Sequence, residues 1–181
     1  AKLVAKKLNA VVYRPSGRIK HATNEAIKLP YGSQERSGAI RKTLTMMSKE
    51  IKEVAQSYPV ILDRFYASWA SAEAGAGNLR ITDLSVDNWP QDLVKPDLSV
   101  HLRVDEEERL RRIGKRDFQN QREIKLGNDE SYRFRVLRGL TRLTDHDVDN
   151  TFRSPEETAA AIVEKYNSMR KSAQPQFLLA A

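Results

Sequence analysis

The chain has 181 residues, 40% of them hydrophobic and 30% charged, with a net charge of +7 and no cysteine. That is enough apolar material for the core of one domain, no apolar run approaches the ~20 residues of a membrane helix, and the lack of cysteine excludes disulfides, thiolate metal sites and a cysteine nucleophile. The positive charge favours polyanionic partners: nucleotides, nucleic acid or acidic surfaces. In chain order, AKLVAKKLNA is amphipathic, with Leu3, Val4 and Leu8 on one helical face, and lacks the apolar core of a secretory signal. AVVYR (10–14) reads as a strand that ends in Arg14. From about Gly38 to Ser57, Ile40, Leu44, Met47, Ile51 and Val54 recur at helical steps and make one stripe. YPVILD (58–63) reads as a second strand. SAEAGAGN (71–78) reads as a helix running into a glycine-rich turn, and DLSVHLRV (97–104) as a third strand.

A helix then starts at Asp105, a good N-cap, with Glu108 three residues on as its capping-box partner. The acids of DEEE (105–108) suit the positive end of a helix dipole better than a metal cluster. A further helix carries Tyr132, Val136, Leu140 and Leu143, and DHDVDN (145–150) is a weaker strand. The last helix opens SPEE, with Ser154 as cap, Pro155 in the first turn and Glu157 closing the box. His21, His101 and His146 show no metal-ligand spacing.

Strands separated by helices imply right-handed crossovers and an α/β fold with a mostly parallel sheet. PVIL is the continuous apolar run of a strand buried on both faces. In such sheets ligands sit beyond the carboxyl ends of the strands, which is where Asp63, Arg64 and Arg14 fall. A carboxylate there can serve Mg²⁺, which takes few protein carboxylates and keeps waters and substrate phosphates. Arginine beside it can neutralise phosphate, and Arg111, Arg112, Arg116 and Arg122 supply more of it. Positioning and charge neutralisation are most of what phosphoryl transfer needs. An internal salt bridge at a strand end is the plainer alternative for Asp63-Arg64.

PVILDRFYAS resembles the strand and DR(Y/F) motif of thymidylate kinases, and KPDLSVHLRVDEEERLRRIGKRD (95–117) resembles a longer block of the same family. NQRE (120–123) sits where the family has its mobile lid, a segment of about 114–128 here. DVDNTFRSPEETAAAIV resembles the final strand and helix. Within the family, WPQDLVKPDLSVHLRVDEEERLRR is similar to the mitochondrial UMP–CMP kinase branch. The resemblance implies a P-loop nucleoside monophosphate kinase fold, with five parallel strands flanked by helices in a single domain, 1–181. It implies ATP as phosphoryl donor, Mg²⁺, and a pyrimidine nucleoside monophosphate of the dTMP, dUMP, UMP or CMP type as acceptor. By the same carry-over, Asp63 serves the metal, Arg64, Arg41 and Arg14 face the acceptor, and Arg116 and Arg122 close on the transferring group. Phe65 and Trp69 are near enough in sequence to line a base pocket, with core packing the alternative.

Two departures stand out. None of the eight glycines heads the G-x-x-x-x-G-K-[ST] loop that a P-loop kinase needs. AKLVAKKLNAVVYRPSG resembles the helix and second strand that come after that loop in the family, so a first strand and P-loop are expected upstream of Ala1. Ser71-Ala72-Glu73 stands where thymidylate kinases have a pattern ending Ala-Tyr-Gln, which detaches the substrate from thymine. Two other readings stay open: a non-catalytic pseudokinase or basic nucleic-acid-binding domain, and a nucleoside kinase. Clustering of the basic residues around a lid disfavours nucleic acid. No membrane association is expected. The resemblance also implies a homodimer; an intracellular protein is expected, with cytoplasm and mitochondrion both open.

Overall fold

The computed structural model of the chain describes residues 1–115 and 121–173. Eight helices and four short strands are found among them: α1 (Lys2–Leu8), β1 (Val11–Val12), α2 (Gly17–Lys28), α3 (Gln34–Ala55), β2 (Val60–Ile61), α4 (Tyr66–Ala76), β3 (Val100–Arg103), α5 (Glu106–Gly114), α6 (Gln121–Asn128), α7 (Glu130–Leu143), β4 (His146–Asp149) and α8 (Pro155–Ala173). All four strands fall inside the segments read from sequence, but they are shorter. β1 pairs with β2 and β3 with β4, both in parallel. The described residues thus hold two parallel pairs, and no ladder joins β2 to β3 among them. Val60 and Ile61 are half-buried rather than closed in on both faces, because β2 is the open edge of its pair. Parallel pairing needs a crossover, and α2–α3 and α5–α7 supply one for each pair. The architecture is α/β and helix-rich.

The core forms where α3, α4 and α7 meet the loop 79–94. Leu44, Tyr66, Ala70, Leu84, Leu93 and Leu143 make one buried cluster, with Met47 packed on its rim. α4 and α7 cross closely, through Gly75 on one and Gly139 on the other. α1 packs on α8 as well as on β1 and β2, and so links the two strand pairs. On α1 the buried positions are Val4 and Ala5, whereas Leu3 is exposed, because the helix turns its narrow contact face one position later than the apolar pattern suggests. α3 starts at Gln34, capped by Ser33, four residues ahead of the start read from the apolar stripe.

The caps agree with the sequence more closely. Asp105 accepts from the Glu108 amide at 2.8 Å. Ser154 and Glu157 exchange both bonds of a capping box, at 3.2 and 2.8 Å, and these bonds hold the Glu157 carboxyl below its ordinary range. At Glu108 the box is only half made. Its carboxylate binds Arg111 and Arg112 instead, which pull its pKa down to about 2.

Candidate active site at the strand tips

β1 and β2 run in register, Val11 beside Val60 and Val12 beside Ile61. The ladder closes with the Tyr13 amide donating to the Ile61 carbonyl at 3.0 Å. Arg14 and Asp63 each lie two residues past the last register pair, Val12 and Ile61. Arg14, Asp63 and Arg64 are exposed. None of the three has a side-chain hydrogen bond or ion pair among the described residues. Several arginines elsewhere are tied internally: Arg109 to Glu106, Arg111 and Arg112 to Glu108, Arg135 to the Gly75 carbonyl and Arg142 to the Leu84 carbonyl. Two cations and one anion are thus left uncompensated where a parallel pair presents its ligands.

Arg64 is also held at φ 67°, in the left-handed region. For a residue with a Cβ this costs about 1–2 kcal/mol. The kink turns the chain out of β2 and into α4 two residues later. Strain of this kind concentrates at functional sites.

Glu50 of α3 fixes the exit of β1. One of its carboxylate oxygens accepts from the Tyr13 hydroxyl at 2.7 Å and from the Ser16 amide at 3.2 Å, bracketing Arg14. Desolvation, then the bond to Glu50, raise the Tyr13 pKa well above the ordinary phenol. Desolvation pushes the Glu50 carboxyl up, but the bonds from Ser16 and Tyr13 outweigh it and hold the group below its ordinary range. A depressed folded pKa stabilises above the unfolded pKa and loses that contribution as pH falls through the folded one. Stability should therefore drop less in Glu50→Gln than in the parent between neutral pH and acid. Equal acid-side losses in urea titrations of the two proteins would show that this carboxylate is not coupled to folding.

Arg41, expected on the acceptor side, is 27% exposed and makes an ion pair. Its Nη2 donates to Asp92 Oδ1 at 2.5 Å and its Nη1 to Thr45 Oγ1 at 2.8 Å. Thr45 in turn donates to Asp92 Oδ2 at 2.9 Å. Arg41 thereby holds the Asp92 carboxyl below its usual value, against a smaller effect of burial. Two residues on, the Val94 amide donates to Ser48 Oγ at 3.0 Å, and Ser48 is only 1% exposed. Ser48→Ala would leave that amide unpaired, at a cost of about 1–3 kcal/mol. A denaturant midpoint unchanged in Ser48→Ala would mean that the loop is held by something else.

Phe65 and Trp69 both lie half-buried against the core cluster. Trp69 stacks at 5.8 Å on Tyr66, which meets Trp89 edge-on at 4.7 Å. The Trp69 indole N–H is buried with no hydrogen-bond partner among the described residues.

On the lid side, Arg116 lies outside the described residues. Arg122 falls in α6, and its side chain is likewise outside them. Arg112 is a structural clamp: besides Glu108 it binds the carbonyls of Asn150 and Thr151 at 2.8 and 2.9 Å, so α5 is stapled to the end of β4. His101 Nδ1 lies 3.3 Å from Asp147 Oδ1. Burial lowers the pKa of His101, with the Asp147 charge working against it. No group of three metal-ligating side chains forms among the described residues, and no described helix is long and apolar enough to cross a membrane. A cleft of about 690 Å³ between α1 and α8, lined by Lys7, Val163, Glu164, Asn167 and Ser168 among others, includes no residue of the strand tips.

Asp92 and Glu50 are the two site-forming residues that sequence reasoning misses. Their partners are distant in the chain: Arg41 lies 51 positions from Asp92, and Tyr13 37 positions from Glu50. No curated protein and no solved structure matches the chain. The family model described as Thymidylate kinase matches residues 39–166, which takes in Arg41, Asp63, Arg64 and both strands of the second pair. With more than two thirds of the 181 residues covered, the chain belongs to the thymidylate kinase family, nucleotide-binding phosphotransferases that use ATP.

Proposed function

We propose that the protein transfers the γ-phosphoryl group of ATP to a pyrimidine nucleoside monophosphate, with the acceptor phosphate received at the tips of β1 and β2. The observation that carries this reading is the trio Arg14, Asp63 and Arg64. They are exposed just past the carboxyl ends of parallel strands and unpaired among the described residues, whereas the arginines of α5 are held by Glu106 and Glu108. The internal pairing of the α5 arginines also removes the open basic stripe that a nucleic-acid groove would need.

Asp63 suits Mg²⁺: it is an exposed carboxylate with no competing partner among the described residues, and this ion takes only one or two protein carboxylates. Bound there, the ion would neutralise phosphate charge. Arg64 and Arg14 would hold and orient the acceptor phosphate, and Arg116 and Arg122 would come from the lid side. Phe65 and Trp69 would back the base from α4.

The reaction also needs a cradle for the donor phosphates, which these 181 residues do not encode in Walker form. We place that loop, with its strand, on a segment that enters between β2 and β3. Among the described residues each of the four strands has a ladder on one side only, so the two pairs leave open edges for such a strand, and backbone groups left unpaired inside a covered sheet are costly. The test is transfer of label from γ-labelled ATP to CMP, UMP and dTMP by the protein as it occurs, with and without Mg²⁺. Label moving to at least one monophosphate, and only with the ion, is expected. Label moving to a nucleoside instead, or to nothing, overturns the reading.

A further inference from the structure

We propose that Glu50 is a positioning residue for the acceptor nucleotide: it clamps the chain on both sides of Arg14, presents that guanidinium to the acceptor phosphate, and so sets acceptor affinity without touching the ligand; this rests on the acceptor-site reading above. One carboxylate oxygen of Glu50 accepts from the Tyr13 hydroxyl at 2.7 Å and from the Ser16 amide at 3.2 Å. The two anchors lie one residue before Arg14 and two after it. They belong to different elements. Tyr13 closes the β1–β2 ladder, and Ser16 opens α2, where its carbonyl accepts from the Lys20 amide at 2.9 Å. Glu50 itself belongs to α3, 37 positions from Tyr13 and 34 from Ser16. A single side chain thus joins three elements around Arg14.

Little freedom is left between those anchors. Pro15 fixes its own φ near −65° and biases the residue before it, Arg14, towards extended backbone. The Tyr13 amide is held by the Ile61 carbonyl at 3.0 Å. With the Ser16 amide pinned as well, the main chain from 13 to 16 is fixed at both ends and stiff in the middle. Arg14 therefore needs little further ordering of its backbone when a ligand arrives, and such preorganisation appears directly as affinity.

Charge placement points the same way. A carboxylate clamped around an arginine is well placed to neutralise it, yet Arg14 makes no ion pair among the described residues, and Glu50 is engaged by Tyr13 and Ser16 instead. A carboxylate at the start of α2 is also favoured by the helix dipole. Arg64 is held in a comparable manner, through its backbone, by the left-handed turn at φ 67°. Both arginines are thus fixed at the main chain and free at the guanidinium. A phosphate clamp needs that arrangement, because each guanidinium keeps its fork of donors for the anion.

Steady-state transfer from γ-labelled ATP by the protein as it occurs, with the monophosphate and ATP varied in turn, tests this. Glu50→Ala should raise the KM of the monophosphate about tenfold, the lower end of what a hydrogen bond to a charged group contributes. Its kcat and its KM for ATP should stay within about twofold of the parent, the pattern of lost ground-state binding. Glu50→Gln, which keeps an accepting oxygen, should restore the parental KM. In an Arg14→Ala background Glu50→Ala should add nothing further, because a residue that acts through another is not additive with it. A purely structural role would add its full effect there. If circular dichroism shows Glu50→Ala unfolded, Tyr13→Phe removes one anchor only and should raise the same KM about threefold, again with no effect on top of Arg14→Ala. An unchanged KM for the monophosphate, an equal rise in the KM for ATP, a Glu50→Gln enzyme as impaired as Glu50→Ala, or a full further loss in the Arg14→Ala background overturns the inference alone. Transfer to no monophosphate by the parent overturns the acceptor-site reading and the inference with it.

Discussion

Gly75→Ala should destabilise the protein by about 3 kcal/mol, whereas Gly38→Ala, the same change in another helix, should stabilise it by about 0.5–1 kcal/mol. A Cβ on Gly75 would lie 2.6 Å from Tyr132 Cε2 and 2.6 Å from Val136 Cγ2. Both neighbours are buried, at 0% and 2% exposure, so neither ring nor isopropyl group has space to yield. Tyr132 is further fixed by its hydroxyl contact with Tyr31 and by the Lys125 ammonium 4.9 Å from its ring. The α4 backbone cannot slide away freely either, because the Gly75 carbonyl accepts from Arg135 Nε and Nη2 at 3.0 and 2.8 Å. At Gly38, inside α3, a Cβ meets nothing within 4 Å, and alanine simply removes glycine's excess freedom in the unfolded chain. For a chain of this size the Gly75 penalty is a fall in Tm of roughly 6–12 °C. Two variants with equal melting temperatures would mean that α4 and α7 are not packed at this spacing.

That contrast shows where sequence reading stops. The run AGAG looks like the approach to a turn, and Gly77 does end α4 in the left-handed conformation at φ 85°. Gly75 looks the same in sequence, but its reason is Tyr132, 57 positions away in the numbering of the chain. Local signals were legible where the cause was local. Asp105 and Ser154 cap helices through bonds to residues three positions on, and PVIL supplies a parallel strand, although its depth of burial depends on neighbours that the run itself does not reveal. α2 was not legible. Only Ile19 and Ala26 are buried along it, too thin a stripe to mark a helix, and its packing on α3 does the rest. Glu108 looked like a box residue and became a double arginine acceptor, because two guanidinium groups within one turn outcompete one backbone amide, which Thr151 satisfies instead.

The candidate site divides the same way. The position of Asp63 and Arg64 past a strand end was legible because a charged pair at the end of an apolar strand is a local pattern. Asp92 was not, since it lies in a loop without periodicity and its partner Arg41 is 51 residues away. The charge total pointed to anionic ligands, but only the pairing separates arginines that hold helices together from those left free.

Arg64→Gly should abolish most phosphoryl transfer while leaving the fold intact or slightly firmer. The left-handed backbone at φ 67° strains any residue with a Cβ by about 1–2 kcal/mol, and glycine removes that strain. Against this, glycine adds about 0.5–1 kcal/mol of unfolded-state freedom, so the net change in stability lies between zero and a gain of about 1 kcal/mol. The guanidinium itself is exposed and unpaired, so its loss breaks no internal contact among the described residues. A residue that costs the fold something and contributes no contact to it is retained for another reason. If that reason is charge on the acceptor and transferring phosphates, kcat/KM should fall by about 10²-fold or more, the lower end of what arginines contribute in such reactions. Arg64→Ala should lose as much activity without the relief of strain, and Arg64→Lys should recover only part, because lysine returns the charge without the two-pronged geometry. Asp63→Asn should lose activity to a similar degree and shift the Mg²⁺ dependence upward, which the arginine variants should not do. An Arg64→Gly protein that turns over at the parental rate would remove Arg64 from the site and leave its backbone strain without a functional explanation.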